Sequence, residues 1–137
     1  MESLLSYIEA IKGLSKDLHY ELKGTSFYGN HLLMDRIHDS LNDFQDEIKE
    51  NYFMYNEKPV PTHSTVMAQA ISLLPEDGTD VLVKMGTLNE LIKTAIYQIE
   101  QVIKDTANLD AGDNDLLGRL SSALKNDSAI LGRVLIQ

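Results

Sequence analysis

The side chains best suited to chemistry in this sequence are histidines and carboxylates spaced along one predicted helix. His31 and Asp35 stand one helical turn apart, and so do Asp46 and Glu50. Side chains four positions apart project from the same side of an α-helix, so each pair can reach a common metal ion. His38 falls on the same stripe. The alternative interpretation is that the stripe is only the solvated side of an amphipathic helix.

The two pairs cannot share one metal ion within a single chain. His31 and Asp46 are separated by 15 positions, which is about 22 Å along a helix. If a second copy packs antiparallel across a two-fold axis, however, His31 and Asp35 of one copy meet Asp46 and Glu50 of the other. Such an isologous dimer would carry two identical sites. His19, near the end of the first predicted helix, can fold back beside His31 as a further ligand.

The available ligand atoms narrow the candidate metals to iron, manganese or zinc. The chain has no cysteine, so a metal site must use imidazole and carboxylate, and two imidazoles with three carboxylates suit ferrous and ferric iron better than a structural zinc site. A di-iron site inside one four-helix bundle needs Glu-x-x-His pairs. The sequence contains none, and its nearest match is Asp35-x-x-His38. Sites shared between subunits are therefore favoured.

Apolar residues recur every three or four positions along most of the chain, which predicts four amphipathic helices. We expect them over about residues 2–22, from a cap at Thr25 or Ser26 to 54, from a cap at Thr79 or Asp80 to 108, and from a turn at Ala111-Gly112 towards the C-terminus.

A long link separates the second and third predicted helices. Pro59 and Pro61 break the helical pattern, and an apolar segment from Val66 to Leu74 can form a short helix within the link. The prediction is an all-α, ferritin-like four-helix bundle with a short extra helix between helices 2 and 3. We expect residues 1–137 to form one domain.

The charge balance limits the partners. The formal net charge is −9, with only 12 lysines and arginines, and nucleic-acid binding depends largely on basic residues that displace counterions from phosphates. This argues against direct DNA binding. Apolar runs long enough to span a membrane and signal-peptide features are also missing, so a cytoplasmic protein is expected.

The residues around the candidate ligands resemble the Dps (DNA-protection-during-starvation) mini-ferritins of the ferritin-like superfamily. The resemblance lies in the family's His-Trp, Lys-Gly, Phe, His-x-x-x-Asp and Asp-x-x-Ala-Glu-Arg motifs, whose spacing is matched here by Leu18-His19-Tyr20, Lys23-Gly24, Phe27, His31, Asp35, Asp46 and Glu50. It covers about residues 14–62, and the remainder matches by helix layout.

The resemblance implies a dodecameric shell built from two-fold dimers. Iron(II) would be oxidised by hydrogen peroxide or oxygen at inter-subunit ferroxidase sites, and the ferric product stored inside, which protects against oxidative damage. It implies that His19, His31 and Asp35 of one subunit and Asp46 and Glu50 of its partner are the catalytic ligands, holding a pair of irons.

The sequence also departs from the family pattern. Tyr20 stands where the family usually has Trp, as a possible redox neighbour or packing residue, and Asn51 replaces the Arg that follows the ligand Glu. The first predicted helix begins almost at Met1, so we also expect none of the family's basic N-terminal tail. These departures leave open a non-catalytic ferritin-like scaffold or binding module with altered assembly.

Three further residues are candidates for metal binding or iron entry, and two of them have a second interpretation. His38 is either an accessory ligand or an ordinary interface histidine. Asp110 and Asp113 lie near the region that lines the three-fold iron-entry pores in the family; the alternative for Asp113 is that it caps the last helix.

Overall fold

The computed structural model describes residues 1–136, and all of its regular elements are helices. In chain order they are α1 (Glu2–Glu21), α2 (Phe27–Ile48), a π-helical segment (Lys49–Met54), α3 (His63–Leu73), α4 (Val81–Asp105) and α5 (Ala111–Leu135). The predicted all-α bundle of four long helices, with a short extra helix between the second and third, is confirmed. No helix in this part of the chain is long and apolar enough to cross a membrane.

The directions of the helices explain the long link. α2 folds back antiparallel on α1 after a short turn, and α4 is antiparallel to α1 as well, because Lys84 near its start bonds Glu21 at the end of α1, 2.9 Å away. α2 and α4 therefore run in the same direction on opposite corners of the bundle. The chain between them must return along the whole length of the bundle, and α3 packs against α1 on the way.

The core fixes how α2 is rotated. Five of its apolar side chains, at helical spacing, are at most 8% exposed: Leu33, Met34, Ile37, Leu41 and Ile48. Burying a side chain of this size contributes about 1.5–3 kcal/mol each. Because this stripe must face α1 and α5, the polar stripe of α2 is turned towards the edge it shares with α1 and towards the outside of the bundle.

α2 continues directly into a wider, π-helical turn. Tyr55 N–H donates to the Glu50 carbonyl and Lys58 N–H to the Phe53 carbonyl, both at 2.9 Å and both five residues back along the chain. The wider turn keeps Phe53 buried while Glu50 and Met54 remain exposed. Single π turns of this kind occur often at functional sites.

The helix starts and ends correct the sequence prediction in places. The helix expected to reach residue 108 ends at Asp105, and Ala111-Gly112, expected as a turn, is the first turn of α5. The cap of α5 is Asp110, whose carboxylate accepts from Asp113 N–H at 2.8 Å. The interpretation that Asp113 caps the last helix is therefore wrong, because the cap must stand before the first helical residue.

Candidate metal centre

A line of polar side chains follows the contact between α1 and α2. Lys12 Nζ donates to Asn42 Oδ1 at 2.9 Å and to Gln45 Oε1 at 2.8 Å. Because the helices are antiparallel, later residues of α1 meet earlier residues of α2. We call the whole line the polar seam; it consists of Glu9, Lys12, Lys16 and His19 of α1 with His31, Asp35, Asn42 and Gln45 of α2.

Two histidines stack at one end of the polar seam. The ring centroids of His19 and His31 are 3.5 Å apart, with an interplanar angle of 18°. His19 Nδ1 lies 2.8 Å from the His31 carbonyl, and His31 Nδ1 lies 2.7 Å from the His19 carbonyl. His19 therefore lies beside His31 as expected, while its role as a metal ligand stays a prediction.

The hydrogen bonds of this pair select the tautomer of both rings. A carbonyl oxygen can only accept, so both Nδ1 atoms must carry the hydrogen. In the neutral ring this leaves the lone pair on Nε2, and neither Nε2 has a hydrogen-bond partner within residues 1–136. Metal-binding histidines are commonly oriented this way, with one ring N–H on a carbonyl and the other nitrogen on the metal.

Asp35 lies beside the histidine pair but already has a partner. Lys16 Nζ is 2.9 Å from Asp35 Oδ1, and this ammonium holds the pKa of the Asp35 carboxyl below its usual value. The side group is therefore a carboxylate at neutral pH, and one of its oxygens is shared with Lys16. A metal ion at Asp35 must compete with this ammonium for that oxygen.

Asp46 and Glu50 lie at the other end of α2 and face outward. Both are exposed, and neither forms a hydrogen bond or ion pair through its side chain within the described chain. Asp46 belongs to α2 and Glu50 to the π-helical segment. Their oxygens are free to bind a cation that approaches from outside the bundle.

A single chain does not bring the five predicted ligands together. Among residues 1–136, no three His, Asp or Glu side chains lie close enough to hold a metal ion jointly. One α2 helix keeps the histidine end and the Asp46–Glu50 end about 22 Å apart. Each copy thus presents two separate partial sites.

Comparison with known proteins reveals a likeness in three dimensions. No family model matches the chain, and no curated protein matches its sequence. A mutant of Mycobacterium smegmatis Dps1, however, gives a TM-score of 0.80 over 98% of this chain and 91% of its own, at 18% identity. Dps from Microbacterium arborescens in the high iron form gives a TM-score of 0.79 over 99% of this chain and 90% of its own, at 17% identity.

The chain has the Dps fold. A C-terminal deletion mutant of Mycobacterium smegmatis Dps agrees, with a TM-score of 0.77 over 99% of this chain and 93% of its own, at 18% identity. So few identical residues establish the shared fold and do not transfer ligands from those proteins to this one.

Aromatic rings surround the histidine pair in this Dps-like chain. Tyr20 meets the ring of His19 edge-on, with centroids 5.0 Å apart, and Phe27 lies 4.9 Å from the ring of His31. Tyr20 is 73% exposed, so packing within its own chain does not account for it. The role of Tyr20, as a redox neighbour of the metal or as a packing residue, stays a prediction.

His38 lies on the outer stripe of α2, away from the stacked pair. Its Nδ1 is 3.0 Å from Asp39 Oδ1, and the ring is half-buried. Whether it binds metal or lies in an interface stays a prediction.

The two predicted pore residues of this Dps-like chain differ in accessibility. Asp110 is exposed and caps α5, whereas Asp113 is 4% exposed. Burial, followed by the nearby Asp110 carboxylate, raises the pKa of Asp113. Asp113 Oδ1 is also buried without a hydrogen-bond partner within residues 1–136. The pore role of either residue stays a prediction.

Sequence reasoning missed the lysines of the polar seam. Lys12, Lys16 and His19 follow one another at helical spacing on α1, and this pattern was the available signal. It could not show which side of α1 faces α2, and therefore could not show that Lys16 reaches Asp35.

Proposed function

We propose that this chain is a Dps-type mini-ferritin that binds iron(II) at sites shared between two subunits. It oxidises the iron with hydrogen peroxide or oxygen and stores the ferric product in an oligomeric shell. The observation that carries the proposal is the His19–His31 pair, in which both Nδ1 hydrogens are held by carbonyls and both Nε2 atoms are left for a metal.

The remaining ligands come from a second copy. His31 and Asp35 of one subunit face Asp46 and Glu50 of the partner subunit, and the free, exposed carboxylates at the end of α2 support this pairing. Two equivalent sites then lie on either side of a two-fold axis. The complete shell is a dodecamer built from six such pairs, acting in the cytoplasm and without direct DNA binding.

The ligands divide the chemical work. Carboxylates are hard, negatively charged ligands that stabilise the ferric product, while the imidazoles, fixed by their Nδ1 hydrogen bonds, set the geometry. Each iron(II) gives up one electron. A peroxide that takes an electron from each of two irons, together with two protons, leaves as two waters, so no hydroxyl radical is released.

Loss of the Asp46–Glu50 end tests the proposal directly. Wild-type protein should oxidise iron(II) on peroxide addition far faster than buffer, and Asp46→Asn with Glu50→Gln should slow this about 100-fold or more, as expected when metal ligands are removed. The absorbance of the ferric product measures the rate of iron oxidation, and the native mass measures the assembly of the shell.

Glu90→Gln is the matched control for this experiment, because it removes an exposed carboxylate from α4, away from α2 and from the ligand set. It should oxidise iron at the wild-type rate. Equal losses in both variants would refute the site. An intact shell that leaves iron(II) unoxidised would favour the non-catalytic ferritin-like scaffold instead.

Removing Lys16 should strengthen metal binding. Lys16→Met frees the Asp35 oxygen that the ammonium holds at 2.9 Å and also removes a positive charge beside the metal. We expect a several-fold tighter affinity for cobalt(II), measured by titration of its visible absorbance. Lys93→Met, which removes a lysine paired with Glu90 on α4, should leave the affinity unchanged; an equal gain there would assign the effect to net charge alone.

A further inference from the structure

The outer surface of α2 and the π-helical segment combines an acidic centre with apolar ends. We call this surface the α2 face; its residues, at steps of three and four, are Tyr28, Leu32, Asp35, Asp39, Asp43, Asp46, Glu50 and Met54. At its ends Tyr28 is 71% exposed and Met54 is 66% exposed, and Leu32 is 49% exposed.

Packing within the chain explains neither end. Tyr28 takes part in no ring contact and no side-chain hydrogen bond over residues 1–136. Large apolar side chains that share one exposed surface commonly mark a protein–protein contact.

The acidic centre is poorly compensated. Among residues 1–136, the carboxylates of the acidic centre form only two ion pairs, Asp35 with Lys16 and Asp39 with His38. When two copies of this face approach each other, most of their carboxylates are therefore opposed by carboxylates. Like charges in close opposition destabilise a contact, so other contacts must offset the repulsion.

The shared metal site fixes how the two faces align. If His31 lies opposite Glu50 of the partner subunit, and Asp35 opposite Asp46 of the partner subunit, the two-fold axis passes between residues 40 and 41. Residues 27 and 28 of one copy then lie opposite residues 54 and 53 of the other. Of the latter two, Met54 is exposed and Phe53 is buried. On the facing end, Tyr28 is 71% exposed, whereas Phe27 is 37% exposed and packs against His31, so Tyr28 is the side chain that Met54 meets.

We propose that the apolar ends of the α2 face, with Tyr28 packed on Met54 of the partner subunit, hold the two copies together before metal binds. The inference rests on the proposed function, from which it takes the alignment. A thioether and an aromatic ring attract each other beyond their apolar burial. The contact occurs twice, once at each end, because the pair is symmetric. The acidic centre opposes pairing until cations occupy it.

Cysteine cross-linking tests the alignment, since the natural chain contains no cysteine. In metal-free buffer with a short bismaleimide, Tyr28→Cys combined with Met54→Cys should give covalent dimers on a denaturing gel. Each substitution alone should give none, because two copies of residue 28 would lie about 37 Å apart. Asp39→Cys alone should cross-link, because it lies next to the axis.

Two substitutions with opposite expected effects test which contacts favour and which oppose the pairing of the two copies. In metal-free buffer, Met54→Asp should weaken pairing about ten-fold or more, as loss of an interface anchor does, whereas Asp43→Asn should strengthen it by relieving repulsion. Native mass spectrometry over a dilution series measures both. Both positions are exposed, and circular dichroism verifies that the helices remain folded.

The outcomes separate this inference from the proposed function. The inference is overturned if the double cysteine variant gives no covalent dimer, or if Met54→Asp pairs as tightly as the wild type. This holds even if iron is oxidised. The expected cross-linking and dilution results without iron oxidation uphold the inference and overturn the proposed function.

Discussion

Two inactive variants are expected to regain iron oxidation when they are co-expressed. The first carries His31→Ala with Asp35→Asn, and the second carries Asp46→Asn with Glu50→Gln. Each alone lacks one half of every shared site. In a mixed pair, the second variant supplies the histidine half and the first supplies the carboxylate half, so one site is complete.

The size of the recovery follows from the symmetry. If the variants pair at random, half of the pairs are mixed and each mixed pair has one complete site of two, so about a quarter of the wild-type activity should return. The initial rate of peroxide-driven iron(II) oxidation measures it, with the separately expressed variants as controls.

This experiment discriminates strongly because α2 is a continuous helix. No bending of one chain brings its two ends onto a common ion across about 22 Å. A mixture as inactive as its components would therefore contradict a shared site. Variants that retain activity alone would place the oxidation elsewhere on the protein.

Binding of a redox-inert divalent ion is expected to raise the melting temperature substantially. The shared site exists only in the folded, paired chains, so an ion that fills it stabilises that state over the unfolded one. With zinc at 100 times its dissociation constant, the gain is about 2.7 kcal/mol. For a domain of this size that corresponds to about 5–10 °C.

Calorimetry with and without zinc measures the shift, and EDTA should reverse it. The variant His31→Ala with Asp35→Asn is the matched control, since it keeps the acidic turn around Asp110 while losing the proposed site. A shift of equal size in that variant would assign zinc binding to another part of the chain and contradict the prediction.

The sequence by itself determined the helical architecture. The spacing of apolar residues along the sequence determines which segments form helices and which side of each helix is buried. Four long helices and a short one in the link could therefore be predicted, and they are confirmed. The same periodicity placed His31, Asp35, Asp46 and Glu50 on one stripe. Their role as iron ligands remains a prediction, because the atoms that would complete each site belong to a second copy.

Only the tertiary structure decided how these residues meet their neighbours. Three features depend on how α1 is rotated against α2: the stacking of His19 on His31, the hydrogen bonds that leave Nε2 of both rings free, and the bond between Lys16 and Asp35. The burial of Asp113 likewise depends on its surroundings in the folded chain. Spacing along one helix contains no information about rotation between two, because that angle is set by the packing of the whole core.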